Sequence, residues 1–302
     1  MRAKQHGVAI VLAMGVVTLA ALTATAIMVS QSTWFRQNEL TADHVQAQTL
    51  TQVGVDWTRA LLSDDRRASS VDYLGEPWAL RLPPMPVENG ELAGRINDQQ
   101  GSFNLNNLVK EGRVNPAQLA HFKKLLSLLD LPPALGDTLA DWLDADGEPQ
   151  GGAEDAVYLA MRPPYLAANR PLIDVTELVL VSGFDDGVRA RLRPFVSALP
   201  IFTPVNVNTA PPEVIAAVIE GLGLDEARTL VQKRGLSYFR DRSDFQDRLP
   251  KNIQPAAEDI SFSSDYFLVQ LRATIGSAES SSVALLARTG NNWPAIVWRK
   301  IL

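Results

Sequence analysis

Hydrophobic patterning along this chain begins with an apolar run: residues 8–30 carry no charge, and the next charged position is Arg36. At about 1.5 Å of rise per helical residue, about 23 such residues cover roughly the 30 Å hydrocarbon core of a bilayer. A secretory signal would have a shorter apolar core, typically about 7–15 residues, followed by a small-x-small cleavage site. Here a helical pattern continues without a break, with Ala42, Val45, Thr49, Val53, Trp57 and Leu61 at three- or four-residue spacing and no proline before Pro77. The expectation is one long helix, half in lipid and half in water.

Past residues 63–70 the period changes. Trp78-Ala-Leu-Arg-Leu and Glu91-Leu-Ala-Gly-Arg-Ile-Asn read as two short strands, joined by a loop through Pro83-Pro-Met-Pro and Asn89-Gly90. Strand patterning then lapses for about 160 residues, with helical patterns at 116–130 and 134–143 separated by Pro132-Pro133. Alternation returns in residues 266–274, with Phe267, Val269, Leu271 and Ala273 on one face, and strand-like segments follow at 282–288 and 295–301, with Asn291-Asn292 as a turn before the last. Strands on both sides of a helical middle predict an α+β fold. One sheet, split in sequence, packs on the second half of the long helix and carries a large all-α insertion.

Charge narrows the function. Of 28 basic and 34 acidic residues, Arg2 and Lys4 precede the spanning run, which leaves 26 against 34, or −8, for the rest. That excess argues against a polyanionic partner. Basic residues ahead of the helix predict a cytoplasmic N-terminus, with the chain from about residue 31 on the far side of the membrane. There is no cysteine, so the fold does not depend on disulfides. With only His6, His44 and His121, no histidine-based triad or zinc site is in reach, and no glycine-rich phosphate loop is present. The chain reads as non-enzymatic.

Two stretches carry candidate chemistry. Residues 141–155 hold six carboxylates, Asp141, Asp144, Asp146, Glu148, Glu154 and Asp155, and no basic residue. Such density repels itself unless it is fully solvated or encloses a cation. Oxygen ligands without His or Cys, on a glycine-rich loop, would select Ca²⁺. It is not an EF-hand: with Gly147 at the sixth loop position, Trp142 and Ala153 fall at the first and twelfth. The second stretch, Val205-Asn-Val-Asn-Thr-Ala-Pro-Pro-Glu-Val-Ile followed by Gly221-Leu-Gly-Leu-Asp-Glu, resembles a helix-hairpin-helix, with residues 178–186 as a weaker copy. A membrane-tethered DNA receptor of a competence-type system is therefore the rival reading. Its charge opposes it, since residues 206–250 hold seven acids against six bases and Asp225 and Glu226 stand where a phosphate would sit.

The short basic leader ending in Gly7, set directly against a spanning helix, resembles those of type IV prepilins and type II secretion pseudopilins. By that resemblance a prepilin peptidase cuts between Gly7 and Val8 and the new amine of Val8 is methylated. Most members carry glutamate as the fifth mature residue; here that position is Leu12. Absence of that glutamate is typical of the K-type minor pseudopilins of type II secretion. Their D-x-Q-G-x-F-N-L-N-N-L string is matched by residues 98–108, their calcium loop by D-W-x-D-x-D…G-A-E-D from Asp141, and their hairpin by N-V-N-T-A-P-P from Asn206.

The resemblance implies a pilin-like fold with helix-hairpin-helix or SAM-like elements in the insertion. The divisions would be a leader at 1–7, the transmembrane half-helix at 8–30, the periplasmic half-helix and first strands at 31–102, the insertion at 103–260, and the last strands at 261–302. It implies Ca²⁺, with Asp144, Asp146 and Glu154 as the first ligands. It also implies a single-pass inner-membrane protein, mostly periplasmic. That protein would act with I- and J-type minor pseudopilins, other pseudopilins, prepilin peptidase and the inner-membrane platform, and with no nucleic acid, at the tip of a pseudopilus that exports folded proteins.

Overall fold

The computed structural model describes residues 6–80, 82–290 and 293–302. The expectations placed on Arg2, Lys4 and the Asn291-Asn292 turn lie outside these residues. Helix α1 runs unbroken over His6–Ala68, about 95 Å at 1.5 Å per residue. Among the described residues it is the one helix long and apolar enough to cross a membrane, and its large apolar side chains from Val8 to Val29 are exposed. Exposed Trp34 follows one helical turn later, where an amphipathic ring suits a membrane–water boundary.

Strands β1 (Leu82–Val87), β2 (Gly90–Asp98), β3 (Tyr266–Ile275), β4 (Ala278–Ala287) and β5 (Ala295–Ile301) form one antiparallel sheet in that spatial order. The second half of α1 lies across β3 and β4. Its buried face is Ala47, Thr51, Val55, Thr58 and Leu62, against Leu92, Ile96, Phe267, Val269 and Leu271. Gly54 completes that face: a Cβ there would stand 2.8 Å from Leu271 Cδ1, so a larger residue would have to displace the leucine side chains packed against the helix. The apolar stripe that signalled the helix in the sequence is a different one. Val45, Val53 and Trp57 point outward.

The first strand also departs from expectation. Pro77–Ala79 is a 3₁₀ turn that buries Trp78 edge-on to Phe267, and the strand runs instead through Pro83-Pro-Met-Pro. An edge strand tolerates proline because one row of its N–H groups faces no neighbour.

Between β2 and β3 the chain builds the insertion around helices α2 (Pro116–Leu128), α3 (Leu135–Leu143), α4 (Asp155–Leu159), α5 (Asp186–Leu192), α6 (Pro212–Val218), α7 (Leu224–Leu236) and α8 (Arg242–Arg248). It has its own core, in which Phe122, Leu125, Leu139, Trp142, Val214, Ile215 and Phe245 are buried. The asparagines at its entry do more than cap. Asn104 accepts from the Asn106 amide, but its Nδ2 also reaches Ile201 O at 2.9 Å, and Asn106 Nδ2 reaches Leu172 O and Leu199 O at 2.9 Å each. These side chains tie the entry of the insertion to segments 66 to 97 residues away, because buried carbonyls there need donors.

The insertion meets the helix-and-sheet body at the end of α1 remote from the apolar run. Arg288, after β4, is buried there, with Nη1 2.7 Å from Asp65 Oδ2 and Nη2 2.6 Å from Asp72 Oδ1 and 2.9 Å from Ser264 O. Beside it, Asp98 of β2 accepts from Ser264 Oγ and Asn206 Nδ2, and Thr209 Oγ1 adds a further bond at 2.5 Å. Burial of Asp98 raises its pKa to about 6, against the pull of those donors.

Candidate metal centre

Helix α3 ends in the acidic loop. Asp141 is in its last turn and Asp144 at its C-cap, three residues on and so on the same side of the helix. The chain then turns back through Gly151, at φ +102°, and Gly152. A Cβ on Gly152 would stand 2.6 Å from the Asp137 carbonyl, so glycine alone lets the returning strand lie against α3. That return delivers Glu154 to the N-cap of α4.

Of the six carboxylates singled out from the sequence, Asp144, Asp146 and Glu154 converge, each offering an oxygen within 4.8 Å of the others. Asp141 is turned to a different task. Its carboxylate accepts from the Gln150 and Gly152 amides, at 3.1 and 2.9 Å, and so shapes the loop. Asp155 accepts from the Ala167 amide at 2.9 Å and pins the strap that follows α4. Glu148 is exposed on the turn, outside the three-carboxylate group.

Asp144 and Glu154 are buried, and Asp144 Oδ1 and both Glu154 oxygens have no hydrogen-bond partner among the described residues. Burial, together with the neighbouring Asp146 and Asp141 charges, pushes Asp144 up to about 6. Burial, together with Asp144 and Asp141, pushes Glu154 up to about 7. Three convergent carboxylates without a cationic side chain among them, two of them desolvated, form a donor set that fits a hard divalent cation.

A second carboxylate group, Asp65, Asp72 and Glu76, is already compensated. Arg288 occupies it, and Glu76 accepts from Trp78 Nε1 at 2.8 Å.

The hairpin is built as packing. Gly221, at φ +77°, makes the turn between α6 and α7, while Gly223 is an N-cap whose amide is taken by Glu226 Oε2 at 2.9 Å. Lys124 of α2 donates to Ile219 O and Leu222 O, at 3.0 and 3.1 Å. The two glycines thus serve turn and cap conformations. The weaker copy is similar in form, a 3₁₀ segment Val175–Leu180 with a capping box from Asp174 and Glu177, then Gly183 at φ +81° and α5.

Comparison with known proteins agrees with this architecture. The family model described as type II secretion system (T2SS), protein K matches in two parts, over residues 101–201 and 205–263. Type II secretion system protein K of Pseudomonas aeruginosa is 36% identical over 95% of this chain and 90% of its own. The protein K of Klebsiella pneumoniae is 32% identical over 98% of this chain and 96% of its own. A chain of the crystal structure of the GspK–GspI–GspJ complex from enterotoxigenic Escherichia coli superposes with a TM-score of 0.72 at 24% identity, covering 88% of this chain and 99% of that one. That likeness carries the fold: a long helix on an antiparallel sheet with a helical insertion. By sequence, the chain belongs to the type II secretion system protein K family.

Proposed function

We propose that this minor pseudopilin caps the tip of the periplasmic pseudopilus with I- and J-type partners, and supports export of folded proteins without catalysing a reaction. The observation that carries this is the position of the insertion. It is docked at the end of α1 remote from the apolar run, where Asn206 Nδ2 donates to Asp72 O at 3.1 Å and the Tyr238 ring stacks on Tyr73 at 4.1 Å. A body of that size at that end blocks stacking of another subunit above it. Leu12 fits the same reading, because a carboxylate in hydrocarbon is retained only where a partner amine neutralises it. The complex that contains the superposed structure also includes GspI and GspJ. The outward stripe of Val45, Val53 and Trp57 gives α1 a surface for neighbouring helices of other pseudopilins.

In this reading α1 anchors the chain once in the inner membrane, N-terminus in the cytoplasm, after prepilin peptidase cuts between Gly7 and Val8 and the new amine is methylated. The inner-membrane platform then assembles it. Calcium, held by Asp144, Asp146 and Glu154, would tie the end of α3 to the start of α4 and neutralise the loop.

Two outcomes test this. Labelled protein incorporated into pseudopili with its I- and J-type partners is expected at one filament end only, whereas label spread along the shaft would rule out the cap. Intact mass of membrane-derived protein is expected to show a Val8 start plus one methyl group when prepilin peptidase is present. A Met1 start would leave a plain anchor.

A further inference from the structure

The two edges of the sheet are built differently. Edge strand β1 reads Leu-Pro-Pro-Met-Pro-Val, so three of its six residues have no N–H, and it cannot take another strand. Edge strand β5 reads Ala-Ile-Val-Trp-Arg-Lys-Ile, has no proline, and pairs with no strand but β4 among the described residues. Helix α1 lies over β3 and β4 and leaves β5 largely uncovered, so Ile296, Val297, Ile301 and Leu302 are exposed, Leu302 by 76%. An open, apolar edge of this kind is a template for strand addition.

The other face of β5 borders a cavity of about 1370 Å³ between the sheet and the insertion. Trp298, Lys300, Leu302, Leu268 and Leu285 line it together with Arg95, Arg193 and Arg189, the last of which is paired with Asp186. Its two acids are engaged. Asp98 is held by the donors at the junction, and Asp174 pairs with Lys300 at 2.8 Å. Arg193 makes no ion pair among the described residues, and Arg95 bonds only Gln270 Oε1, a neutral partner. In a chain of net charge −6, this groove is locally positive.

We propose that β5 is a docking edge. It takes an extended, acidic and apolar segment of another protein as a sixth strand, whose alternate side chains enter the basic groove between sheet and insertion. An acidic strand whose side chains enter the groove meets Arg193, which has no carboxylate partner among the described residues, as a counter-charge. The inference is independent of where in the filament the subunit sits.

The test uses the full chain in detergent micelles and a synthetic nonapeptide of alternating Glu and Val, with alternating Lys and Val as control, read by hydrogen exchange over residues 295–302. The acidic peptide is expected to slow exchange across β5, and the basic one to leave it unchanged. Arg193→Glu and, separately, Lys300→Glu are expected to weaken binding about tenfold, equivalent to about 1.4 kcal/mol, with the circular dichroism of the protein unchanged. Equal protection by both peptides, no protection by the acidic one, or charge variants that bind as wild type would overturn the proposal. So would protection that grows with protein concentration alone, which would assign the edge to a second copy.

Discussion

Arg288→Met is expected to lower the unfolding free energy by about 3–5 kcal/mol, the cost of leaving buried charges without their partner. The guanidinium is 1% exposed, over the face of Phe267 at 4.7 Å, and is the counter-charge to both Asp65 and Asp72. Burial already raises the Asp65 pKa despite its bond to Arg288, so removing the cation leaves that carboxyl worse placed. For a chain of this size such a loss corresponds to a melting shift of roughly 10 °C. Thermal unfolding in micelles measures it. Adding Asp72→Asn to Arg288→Met is expected to recover part of the loss, because the orphaned charge goes with it. A double variant as unstable as the single one would show that packing, not charge, holds this junction.

The second large effect concerns the acidic loop. Calcium at about 100 times its dissociation constant is expected to stabilise the protein by about 2.7 kcal/mol, and a chelator to remove that gain. Glu154→Gln is expected to abolish the calcium response while raising the melting temperature of the cation-free protein, since it deletes a desolvated charge. The sign of the pH dependence follows from the raised values of about 7 for Glu154 and about 6 for Asp144. Folded carboxyls with raised pKa bind protons more tightly than the unfolded chain does. Their destabilisation of the cation-free protein is therefore full above about pH 7 and is relieved as pH falls toward the ordinary carboxylate range. Calcium competes with those protons, so its affinity falls as pH drops, by about tenfold per pH unit for each proton displaced. Calorimetric titration at pH 8 and pH 6 reads this directly, and equal affinities would exclude Asp144 and Glu154 as ligands.

Both effects depend on contacts that a local reading of the chain cannot supply. Carboxylate density and glycines make the acidic stretch visible in one short segment, but the choice of Asp144, Asp146 and Glu154 among its six carboxylates comes from the resemblance to the K-type loop. That Asp141 would shape the loop, and that Asp155 would pin Ala167, depended on which amides the folded turn presents. Gly151-Gly152 was the one visible signal for the reversal that brings Glu154 back to Asp144. Arg288 left no local signal, since its partners lie 216 and 223 positions away.

Periodicity is a local property, and so the sequence by itself determined the spanning length of α1, its unbroken continuation, the alternation of β3 and the helical middle. Tertiary structure decided which face of α1 meets the sheet. Small residues, Ala47, Thr51, Gly54 and Thr58, allow the closest approach, and the larger Val45, Val53 and Trp57 are left outside. It also decided that Pro83-Pro-Met-Pro becomes a strand, because only position at the edge of a sheet makes missing N–H groups tolerable. Hydrophobic spacing specifies that an element forms. Shape and hydrogen-bond complementarity between distant segments specify what it packs against.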